Sequence, residues 1–186
     1  MRHETRYEAP SGDAGMFIKI IGQHRLLGQQ GRAPGEFIGP RGLAYLRDGN
    51  MVAADRENHR VQRVTRDGEV VWCVGSLGSG EGQFNYPFGV AVTAEGKIYV
   101  TDCYNHRIVE LEARDGSWVR CFGRKGQGAG EFDYPTGIAC GPGGAIVVAA
   151  ATSCVRHLRS ASATRRRIAL TCRCQAAHRA RAVATA

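Results

Sequence analysis

Two copies of one short motif hold most of the side chains here that could do chemistry. Asp55, Asn58, His59 and Arg60 spell Asp-x-x-Asn-His-Arg, and Asp102, Asn105, His106 and Arg107 repeat it 47 residues later. A recurring imidazole beside a carboxylate could move protons or bind a metal ion through a neutral nitrogen. A zinc site, however, needs three or four convergent ligands, and each copy offers one histidine in one turn. No nucleophile elbow and no Ser/His/Asp order accompanies them. Asp and Asn side chains also accept bonds from nearby backbone N–H groups and so fix turns. We therefore expect all eight residues to build the fold, with no catalytic residue, no cofactor and no metal. Residues 123–130, Gly-Arg-Lys-Gly-Gln-Gly-Ala-Gly, hold a loose Gly-x-Gly. A phosphate loop must open a helix, and this one joins two strands, so it reads as a flexible connection.

The elements that must carry these turns repeat with them. Gly-x-Phe recurs at residues 35–37, 82–84 and 130–132, each followed by Pro-x-Gly and an apolar strand at 40–44, 87–92 and 135–139. A tight turn (Asp48-Gly49, Glu95-Gly96, Gly143-Gly144) leads to a second strand at 50–54, 97–101 or 145–149. The signature turn follows, then a third strand at 61–64 or 108–111, then Asp-Gly and a fourth strand. Residues 15–22 match 68–75 and 116–123, each six strand-forming residues between glycines, which makes 16–21 a fourth strand as well. Four-stranded antiparallel units at this period are propeller blades. The expected fold is all-β, an incomplete β-propeller of about two full blades plus partial ones.

Composition changes abruptly after the third unit begins. The 25 Lys and Arg divide into 17 before Ala151 and eight after it, whereas all 17 Asp and Glu lie before it. The net charge of +8 therefore belongs to the last segment, and the blades themselves are neutral. Forty-eight residues after Asp102, Asn105, His106 and Arg107 stand Ala150, Ser153, Cys154 and Val155, and no glycine, aromatic or acid follows Ala145. A broken reading frame near 145–150 would explain this, as would a disordered basic tail. The organisation expected is a disordered 1–14, blades over 15–149, and a basic low-complexity 150–186. The seven cysteines form no framework; Cys73 and Cys121 occupy equivalent positions and read as small buried residues. With no export signal and no long apolar run, the sequence reads as soluble and cytoplasmic, away from membranes.

The combination of Gly-x-Phe, Pro-x-Gly, Ile98-Tyr99-Val100-Thr101-Asp102 and Asn105-His106-Arg107-Ile108 resembles the NHL-repeat family of β-propellers. The resemblance covers about residues 15–149. It implies an interaction platform of the kind attached to zinc-binding and coiled-coil modules in ubiquitin ligases, though neither module is present here. Some relatives bind RNA, and the amidating lyases use propeller histidines with zinc. The expectation is non-catalytic protein binding. Single-stranded RNA binding and a fragment of a lyase-type enzyme are the alternatives. Open blade edges also predict self-association.

Topology locates a candidate face. Loops after the second and fourth strands share one side of a blade, which brings together Arg56, Glu57, His59, Tyr104 and His106 with Tyr86, Tyr134, Arg124 and Lys125. The variable residue of Pro-x-Gly (Arg41, Phe88, Thr136) should lie at the channel mouth on that side. Positions that vary against a repeated frame are candidates for specificity. Arg41, Phe88, Thr136, Arg56, Tyr104, Arg124 and Lys125 are the predicted partner-binding set.

Overall fold

The computed structural model describes residues 18–20, 25–141, 144–150, 155–159 and 170–171. The segments expected to be disordered, 1–14 and most of 150–186, lie outside them. Val, Ile, Tyr and Trp in short runs between glycines form strands, as their fit to a pleated surface requires. One blade holds β3 (Pro40–Tyr45), β4 (Met51–Asp55), β5 (Arg60–Val64) and β6 (Val70–Val74), paired in that order. The next holds β7 (Pro87–Val92), β8 (Lys97–Asp102), β9 (Arg107–Glu112) and β10 (Trp118–Phe122). A single 3-10 turn, Arg56–Asn58 or Cys103–Asn105, carries each signature from second strand to third. The blades form an open arc, as the repeat count predicts. Among the described residues, no helix is long and apolar enough to cross a membrane.

Before the first full blade come β1 (Ile18–Ile20) and β2 (Arg25–Leu27), which pair with each other as a two-stranded sheet. Their register corrects the sequence phasing. Gly28, Gly75 and Gly123 each place a would-be Cβ under 3.0 Å from the ring of the phenylalanine nine positions later: Phe37, Phe84 and Phe132. By that alignment β2, not 16–21, is the fourth-strand equivalent. The pairs Ile18↔Leu27 and Lys19↔Leu26 match Val61↔Val74 and Gln62↔Cys73. β1 and β2 are thus the outer half of a preceding blade. Six strand-forming residues between glycines describe a third strand as well as a fourth, so that pattern alone left the phase free.

Blades pack through both faces of their middle strands. All five residues of β4 are buried, because Met51 and Ala53 face one side and Val52 and Ala54 the other. Val52, Ala54, Val61 and Trp72 of one blade meet Phe84, Val90, Ile98 and Val100 of the next in a common core. Tyr99 and Ile108 meet Phe132, Ile146 and Val148 at the following junction. The first strands lie innermost, and the glycine of Pro-x-Gly sets how closely they approach. A Cβ on Gly42 would lie 2.4 Å from the Phe88 carbonyl oxygen, and one on Gly89 would lie 2.2 Å from that of Thr136.

The third blade has β11 (Pro135–Cys140) and β12 (Ala145–Ala150) as inner strands. Two strands from the basic segment, β13 (Val155–Arg159) and β14 (Leu170–Thr171), pair onto them, which the loss of the signature did not suggest. A backbone ladder needs no particular side chain. The register differs, however. Val155 stands opposite Ala149, a separation of six, where Ile108 and Thr101 are seven apart.

Candidate functional site

The signature carboxylates do not cap their own turns; neither 3-10 turn has a side-chain cap bond. Each reaches instead to the connection that enters its blade. Asp102 Oδ1 accepts from the Asn85 N–H at 2.7 Å, and Oδ2 accepts from Asn105 Nδ2 and Arg107 Nε, both at 2.8 Å. Arg107 then donates to the carbonyls of Ser79, Gly80 and Gln83, while Asn105 donates to that of Gly78. Asp55, Asn58 and Arg60 repeat this around Ile38, Gly31, Arg32, Ala33 and Glu36. A guanidinium holds five donors in a fixed fork, which suits a cluster of convergent carbonyls. Burial pushes the Asp102 carboxyl upward, against the donors of Asn105, Asn85 and Arg107 that pull it down. The first two glycine-rich connections are therefore held in place by side chains of the blade they enter. In the third, Glu131 Oε2 accepts from the Gly128 N–H at 2.9 Å.

The histidines reach the other way. His59 closes its turn in the left-handed region, φ 53°, and its Nδ1 accepts from the Tyr86 N–H of the next blade at 3.2 Å. His106, φ 54°, does the same for the Tyr134 N–H at 3.2 Å. Tyr86 and Tyr134 themselves have φ of 54° and 47°, an uncommon conformation for a bulky residue. Gly39 takes the equivalent place before Pro40, φ 61°. Desolvation lowers the His59 pKa; the charge of Glu57 opposes this and that of Arg56 adds to it. An imidazole that accepts from an amide must be neutral at that nitrogen, which agrees.

These contacts raise a row of aromatic rings across two blade junctions. The Arg56 guanidinium carbon lies 4.7 Å from the Tyr86 ring centre. Tyr86 and Tyr104 follow at 4.9 Å, then Tyr104 and Tyr134 at 5.3 Å. His59 and His106 support Tyr86 and Tyr134 from below, each at 4.6 Å. Tyr104 is 48 % exposed and Tyr134 37 %. The row gathers Arg56 and Tyr104 from the predicted set and adds Tyr86 and Tyr134, which were placed on this face but left out of it. Their signal was position: each directly precedes the proline of Pro-x-Gly.

The other predicted residues fall elsewhere. Arg41 stacks over half-buried Phe88 at 5.8 Å, on adjacent innermost strands. Thr136 is half-buried, and its carbonyl accepts from Thr101 Oγ1 at 2.8 Å while that hydroxyl receives the Gly89 N–H at 2.6 Å. Thr101 thereby bridges two blades, a role the sequence did not disclose. Arg124 and Lys125 are exposed at the start of the third connection, where Arg124 Nε pairs with Glu131 at 2.9 Å. Cys73 is half-buried and Cys121 exposed, contrary to expectation, because fourth strands form the outer edge. Among the described residues, no three His, Cys, Asp or Glu side chains gather as a metal site.

The NHL repeat family matches residues 37–64 and 84–111, which run from the buried phenylalanine to the third strand of each full blade. No curated protein matches the chain. Among solved structures, virginiamycin B lyase from Staphylococcus aureus is similar at 16 % identity and TM-score 0.56, over 79 % of this chain and 44 % of that one. A chain of a nidogen/laminin complex is similar at 16 % identity and TM-score 0.55, over 74 % and 48 %. Kuenenia stuttgartiensis hydrazine synthase is similar at 17 % identity and TM-score 0.54, over 71 % and 36 %. The chain spans less than half the length of each of these.

Proposed function

The chain carries NHL repeats in an open β-propeller arc, and on that footing we propose that it is a protein-binding platform whose contact surface is the Arg56–Tyr86–Tyr104–Tyr134 row. One observation carries the reading: Tyr104 and Tyr134 are exposed beside half-buried Arg56 and Tyr86, and the rings of Tyr86 and Tyr134 rest against His59 and His106 of the blade frame. Such rings offer large contact area at little entropic cost, which is why tyrosine and arginine dominate binding hot spots. The fold is shared with a protein complex and with a lyase, so this surface and not the fold carries the inference. The two histidines have their Nδ1 atoms engaged by backbone amides, which assigns them to support.

Selection of random displayed peptides on the chain, with counter-selection on Tyr104→Ala, tests the proposal. Peptides that bind at least about tenfold more weakly to Tyr104→Ala and Tyr134→Ala, at unchanged melting temperature, are the expected result; tenfold is about 1.4 kcal/mol. Fluorescence anisotropy with a mixed-sequence single-stranded RNA provides the opposing arm. Tight RNA binding that falls linearly in log–log terms with salt, with no Tyr104-dependent peptide, would overturn it.

A further inference from the structure

The two ends of the arc are complementary halves of a junction already seen twice within the chain. At its trailing end, Gly137 holds the position of Gly42 and Gly89 but is exposed. A Cβ there would meet only the Ala149 side chain of its own blade, at 3.4 Å. Ala139 and Ala149 are exposed, whereas their equivalents Ala91 and Thr101 are 6 % and 0 % exposed. At the leading end, Leu43 is 46 % exposed where its equivalent Val90 is 7 %, and Tyr45 is 60 % exposed. Exposure there concentrates on the innermost strand, β3. Met51 and Ala53 of β4 stay covered by Phe37, Val64 and Val70. That distribution fits the register of β1 and β2: the outer half of the preceding blade is present, and no described residue supplies its inner half.

We propose that a second copy of this chain supplies it. The β11–β12 hairpin of one protomer seats against β3 of the other, with Gly137 over the partner backbone as Gly89 lies over Thr136. In that slot the partner's β1 and β2 take the edge of β12 that β13 and β14 hold within one chain, an exchange of equivalent strands between protomers. Each chain then contributes three blades, so two chains make six, within the roughly four to eight of closed propellers. The contact is heterologous, trailing end to leading end, and its repetition by the second copy closes the ring.

Sedimentation equilibrium of the full chain across low to high micromolar concentration tests this, with circular dichroism as the check on folding. The expected mass is about 40 kDa, twice the 20.1 kDa of one chain. Gly137→Ala places its Cβ at the seat while fitting its own blade, and Leu43→Asp charges the leading face; each should give a folded monomer. Mixed together, the two variants should regain a dimer, because a live trailing end then meets a live leading end. A wild-type monomer at every concentration would overturn the proposal. So would a dimer that both variants retain, or variants that stay monomeric when mixed.

Discussion

Asp102 is fully buried and balances a guanidinium that is itself 9 % exposed as Arg107. Removing one partner of a buried pair leaves the other uncompensated and costs about 3–5 kcal/mol. Asp102→Ala should lower unfolding free energy in urea by about that much, whereas exposed Tyr104→Ala should stay within about 0.5 kcal/mol of wild type. Equal losses would mean that Tyr104 belongs to the core. His59 gives a pH dependence. Its pKa in the folded chain lies below the ordinary 6.5, so in the window beneath that value the unfolded chain binds a proton that the folded chain refuses. Stability from this residue is complete above about pH 6.5 and declines as pH falls through the window. Protonation also removes the lone pair that receives the Tyr86 amide. Thermal melts between about pH 7 and pH 5.5 should therefore show a steeper fall for wild type than for His59→Asn. Parallel slopes would assign the acid sensitivity to other groups.

The first two connections are each held by one arginine of the blade they enter. Arg60 fixes the first through the carbonyls of Arg32, Ala33 and Glu36, and Arg107 fixes the second through those of Ser79, Gly80 and Gln83. Releasing the first clamp in Arg60→Ala should therefore raise limited trypsin cleavage after Arg32 relative to that after Arg124, read by the masses of the products. An unchanged ratio would contradict the clamp. The hairpin order, the blade period and the side carrying the tyrosines were legible in the sequence, because turn glycines and strand formers act locally. The partners of the signature were not. Asp55 binds Ile38 from 17 residues away, and His59 reaches 27 residues forward to Tyr86. Nothing in the spacing of a turn tells its side chains which loop will pass above it. The phase of β1 and β2 was legible only through the Gly-to-Phe interval, which reports a ring packed under a glycine and not merely a strand between two.

Across the molecule, Phe84 and Phe132 of the Gly-x-Phe motifs each join two blades. Phe84 is fully buried in a core shared by both full blades, so Phe84→Ala should cost about 3–5 kcal/mol. It should also loosen both blades in one transition, as hydrogen exchange in β5 and β8 would show. Loss of protection in one blade alone would mean that the blades unfold separately.

The backward reach of the aspartate and arginine also bears on how such an array could be copied or rebuilt. Cutting the chain at the strand boundary, just before Pro40 or Pro87, parts each clamp from the loop it grips. A blade moved to another propeller on those limits would carry a buried carboxylate and guanidinium into a site without their amide and carbonyl partners. Moved with the preceding dozen residues, from Gly28 or Gly75 onward, it brings its own. The unit that can be duplicated or transplanted intact therefore begins inside what looks like a linker, and a gene duplication with its ends there leaves every clamp complete.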